Sequence, residues 1–63
     1  MNPDQTIIQS AYEDAIKRLY AGLFDGYAQA GGDPAQKQQA DQNFATGIEL
    51  ARSSRDRAIA LLA

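Results

Sequence analysis

The chain has 63 residues, eight acidic and six basic side chains for a formal net charge of −2, and neither Cys nor His. A single domain of this size draws only about 3–5 kcal/mol from its own core, so small domains add disulfides, metals or oligomerisation. Without Cys, disulfides and thiolate metal sites are excluded; without His, the commonest metal ligand and acid–base catalyst is missing. The slight acidic excess argues against a nucleic-acid binder, and association with another chain is the remaining route to stability.

Met1-Asn2-Pro3-Asp4 carries no basic region and no apolar run follows it, so no signal peptide is expected here. No stretch approaches the ~20 apolar residues that cross a bilayer, and the expectation is a cytoplasmic protein without a membrane role. Asn2 can cap a helix, Pro3 suits the first helical position, and Asp4 places a negative charge at the positive end of the helix dipole. The pattern predicts a first helix over about 3–30. Ile8, Tyr12, Ala15, Ile16, Leu19, Leu23, Gly26 and Ala30 fall on one face of it. The stripe has a small flank, Ala11, Ala15, Gly22 and Gly26, and a bulky one, Ile16, Tyr20, Leu23, Phe24 and Tyr27. Together they cover about half the circumference, more than one partner helix can bury.

Gly22 and Gly26 each cost a helix interior about 1 kcal/mol relative to Ala. Their four-residue spacing predicts close packing, against the second helix or another protomer, and Asp25 between them argues against a membrane-embedded pair. Glu13–Lys17 and Asp14–Arg18 are spaced as i,i+4 ion pairs on a solvated surface.

Gly31-Gly32-Asp33-Pro34 reads as stop, turn, start. Glycine tolerates the left-handed conformation that ends helices, Asp33 can cap, and Pro34 fits the first turn. A second helix is predicted over about 34–62, with turn residues 31–33 before it. Its stripe is Ala40, Phe44, Gly47, Ile48, Ala51, Ser54, Ala58, Leu61 and Leu62, mostly small, at alternating four- and three-residue steps. In an antiparallel hairpin, pairs totalling about 63–64 should face each other: Tyr12 with Ala51, Ile16 with Ile48, Leu19 and Tyr20 with Phe44, Leu23 with Ala40. Asp41 and Glu49 read as solvated surface. Arg55 lies on the apolar stripe, where it can lay its stem on the core or pair with Asp4 or Glu13 across the hairpin. Arg52, Arg55 and Arg57 gather towards the end, as the helix dipole favours; contact with an anion is the alternative.

Catalysis is not expected. Ser10, Ser53 and Ser54 have no His base, and the acids fall off the core stripes without the Glu-x-x-His motif of di-iron bundles. No catalytic, cofactor-binding or metal-binding residue is assigned. The fold class is all-α: one antiparallel helical hairpin, dimerising into a four-helix bundle. Tyr12, Ile16, Tyr20, Leu23, Phe24, Tyr27, Phe44 and Ile48 are the candidate interface residues, and Ala15, Gly22, Gly26, Gly47, Ala51 and Ala58 the close-packing positions. Tyr20, Phe24 and Tyr27 form an aromatic edge beyond the intrachain seam, expected to join two hairpins, so that Phe24→Asp abolishes association.

In outline the hairpin is similar to the plasmid-copy-number RNA-binding hairpins, dimeric four-helix bundles of comparable size. Asp33-Pro34-Ala35 is similar to the turn of type III secretion needle subunits. No longer motif aligns with either, and neither is taken as membership. The function expected is a non-catalytic interaction or assembly module, self-associating through helix faces as a homodimer. The alternatives are a nucleic-acid-binding regulator of the dimeric hairpin type and a small chaperone or adaptor that holds a partner's helix.

Overall fold

Two Asx-Pro steps start two helices. In the computed structural model, which describes residues 2–62, α1 spans Pro3–Ala30 and α2 spans Pro34–Leu62. Asn2 is extended, and its Oδ1 accepts the Gln5 N–H at 2.8 Å. Asp33 repeats the device: its Oδ1 accepts the Ala35 N–H at 2.9 Å while its carbonyl accepts from Lys37 N–H at 3.2 Å. Each cap satisfies an N–H that the first turn leaves without a helical partner.

The stop between them belongs to Gly31. Its φ is 59°, a left-handed value that side-chain-bearing residues resist, and its N–H donates to the Tyr27 carbonyl at 3.3 Å. Asp33 N–H then donates to the Ala30 carbonyl at 3.0 Å, and the chain has reversed direction. The outcome is an antiparallel hairpin, a rod of 47 × 15 × 10 Å.

Glycines set the register. Gly26 lies so close to α2 that a Cβ built on it would sit 2.8 Å from the Ala40 Cβ, and a Cβ on Gly47 would run into the branched end of Leu19. Further out, Arg55 covers Tyr12. At these three points facing residue numbers total 66 or 67, against the expected 63–64. Tyr12 carries Arg55, one turn beyond the expected Ala51, and Leu19 is seated on Gly47. The physical reason is bulk: a Leu side chain at a tight helix crossing fits best where the opposite residue has no Cβ.

Little is enclosed. Among the described residues only Ala30 (7% exposed) and Ala40 (9%) are buried, and no large side chain is fully buried. Ile7, Tyr20, Phe24, Tyr27, Leu50, Leu61 and Leu62 all remain exposed.

Surface charges depart from the expected pairs. Lys17 Nζ approaches Asp14, three residues back, at 3.8 Å, rather than Glu13. Glu13 instead accepts from Gln9 Nε2 at 3.5 Å, and Arg18 makes no ion pair among the described residues. Exposed pairs worth only ~0.2–0.5 kcal/mol do not hold long side chains in one geometry.

Candidate interaction surfaces

With 3.6 residues per turn, each step along a helix rotates about 100°. On α1 this puts Tyr20, Phe24 and Tyr27 on the side opposite Ala11 and Arg18, with the α2-facing seam between them. The hairpin is consequently apolar on both broad sides.

One side is a groove. Ala11 and Ala15 from α1 and Gly47, Ala51, Ser54 and Ala58 from α2 form an open, mostly apolar trough of about 530 Å³, with Ile8, Tyr12 and Leu19 also in its lining. Leu50 and Arg18 stand at its lips. A smaller hollow continues it past Gly22 and Asn43 towards the turn. Leu50 and Leu61, eleven residues apart on α2, share this side, and Ile7 lies on the same side of α1.

The other side is the aromatic edge. Tyr20 and Phe24 are exposed, and Tyr27 is pinned across the hairpin: its hydroxyl donates to Asp41 Oδ1 at 2.5 Å while Lys37 Nζ stands 5.9 Å from its ring centroid. The hydrogen bond to the Asp41 carboxylate, with the nearby negative charge, raises the Tyr27 pKa above its ordinary 10.0. Asp41 is exposed, as expected, and is also a cross-helix partner.

The other candidate residues divide by place. Tyr12, Ile16, Leu23, Phe44 and Ile48 are half-buried along the seam, as are Ala15, Gly26, Gly47, Ala51 and Ala58. Gly26 and Gly47 are close-packed within the hairpin; Gly22 is not, since a Cβ there meets nothing within 4 Å. Arg55 is half-buried with its guanidinium 4.3 Å from the Tyr12 centroid and its Nε 3.1 Å from Asp56 Oδ1. The pairing with Asp4 or Glu13 does not form, because stacking on Tyr12 and pairing with the adjacent Asp56 hold the guanidinium over the seam. Arg52 and Arg57 point about 140° apart around α2 and do not form one basic patch. The last turn of α2 carries no basic residue.

Leu50 and Ile7 are the exposed apolar positions that the two stripes leave out. For Leu50 the signal is a line on α2, Asn43, Gly47, Leu50, Ser54 and Leu61, that branches to one side of the seam. No helix of the described residues is long and apolar enough to cross a membrane. No protein-family model, curated protein or solved structure matches the chain.

Proposed function

We propose that the hairpin is a non-catalytic assembly module that completes its core with a second copy, giving a four-helix bundle. One observation carries this reading: among the described residues only two alanines are buried, while seven large apolar side chains stand in water. An isolated pair of helices with so little enclosed surface has small stability of its own. Covering one broad side supplies the missing apolar contact, and a second copy is the partner always at hand.

Light scattering across a wide concentration range, with helicity followed by circular dichroism, tests it. The expected result is a species of twice the chain mass whose helicity and melting temperature fall on dilution. A well-folded monomer at every concentration would overturn the proposal.

A further inference from the structure

Resting on that reading, we infer that the second copy docks on the groove side, over Ala11, Ala15, Leu50 and Ser54, and that the aromatic edge stays in water. The chemistry of the exposed tips separates the two sides. Ile7, Leu50 and Leu61 offer water nothing but hydrocarbon. Tyr20 and Tyr27 carry hydroxyls, and that of Tyr27 is already engaged by Asp41. Their polar ends let these rings stay in water at less cost than purely hydrocarbon tips; only Phe24 on that edge lacks a polar end, and single exposed apolar residues are ordinary.

Shape points the same way. The groove has a floor of small residues between taller lips, so a helix can approach closely there. The open space at Gly22, where the hollow continues, leaves a costly glycine with no close neighbour inside the hairpin. A copy of the same chain provides what fills such a trough. A two-fold axis parallel to the helices lays α1 of one copy on α2 of the other, and the hairpin's own register fixes the levels that meet. Leu50 of one copy then stands over Ala15 of the other, Arg18 over Gly47, and Ala11 beside Ser54. A tall residue meets a small one at the first two levels, the self-complementarity of an isologous contact.

The area agrees as well. The hairpin exposes 4705 Å². Two separate copies together expose about 2,850 Å² more than a compact body of twice the mass. That is roughly 1,400 Å² per copy, enough to supply the ~800 Å² each partner contributes to a standard stable interface.

The test compares exposed positions on the two sides, where substitution leaves the hairpin's own contacts in place. Leu50→Glu and Ala11→Glu put a carboxylate into the proposed contact and are expected to weaken association by about tenfold or more, while Phe24→Asp leaves it near the wild-type value. The chain has no native Cys, so Ser54→Cys and Tyr20→Cys give a second readout that does not depend on a disruptive charge. Maleimide labelling of Ser54→Cys should slow as the protein is concentrated into its dimer, and labelling of Tyr20→Cys should not. Protection of Tyr20→Cys together with loss of the dimer in Phe24→Asp would overturn the docking face and leave self-association standing. A wild-type chain that never dimerises would remove both.

Discussion

Three glycines of the helices and their neighbours occupy three different environments, and their alanine variants should behave differently. At Gly22 a methyl group meets open space within the hairpin, so Gly22→Ala adds helix propensity of about 1 kcal/mol that no contact inside the hairpin opposes. In a thermal scan of the dilute, undocked chain the melting temperature should rise by about 4–8 °C. At Gly26 the same methyl would lie 2.8 Å from the Ala40 Cβ, which is fixed to its backbone and cannot swing away. The helices must part, and Gly26→Ala is expected to lower the melting temperature despite its propensity, since overpacking costs about 1–3 kcal/mol. Gly47 faces the movable end of Leu19, so its alanine variant displaces a side chain rather than a backbone. Tyr27 supplies a pH dependence with a definite sign. Its pKa in the folded chain is raised, first by the Asp41 hydrogen bond, so its contribution is fully present below pH 10.0 and is lost as pH rises through the raised value. Melts between pH 7 and the alkaline range should show a decline that Tyr27→Phe reduces, and the ultraviolet titration step of the Tyr27 phenol, above 10.0, should be missing from the variant.

At the scale of the element, helix ends and helix register stand in contrast. The starts at Asn2 and Asp33 and the stop at Gly31 are legible in the sequence because a cap needs only residues two or three positions away. Removing the Asp33 carboxylate with Asp33→Ala should cost about 1 kcal/mol, read as a lower midpoint in urea. Register is not legible in the same way. It depends on Leu19 finding Gly47 and Gly26 finding Ala40 across the hairpin, contacts that no local pattern specifies. The Asp41–Tyr27 pin is hidden for the same reason: an acid flanked by polar residues reads as surface until the opposite helix is in place. The groove is half visible, since its floor of Ala15, Gly47, Ala51 and Ala58 follows the seam, whereas Leu50 at its lip lies to one side of the apolar stripe.

For the whole molecule, the decisive quantity is the mismatch between apolar surface owned and apolar surface covered. Two helices of 28 and 29 residues meet along a single seam, and a seam between two rods encloses small side chains such as Ala30 and Ala40 but, among the described residues, no large one. Ile7, Leu50 and Leu61 on one side and Tyr20, Phe24 and Tyr27 on the other remain outside it. Stability that depends on a second copy makes the folded fraction a function of total protein, so urea midpoints should move upward with concentration. A concentration-independent midpoint would mean that the seam alone sustains the hairpin.

The three-residue turn also orders events in time. Tyr27 and Asp41 are separated by 14 residues, whereas Tyr12 and Arg55 stand at the far end of the rod. Closing a chain segment grows costlier with the logarithm of its length, so the contacts of Tyr27 with Lys37 and Asp41 beside the turn are cheaper to make from the unfolded chain than that of Tyr12 with Arg55. Zippering should start there and run outward, with the termini joining last in folding and parting first when the hairpin opens.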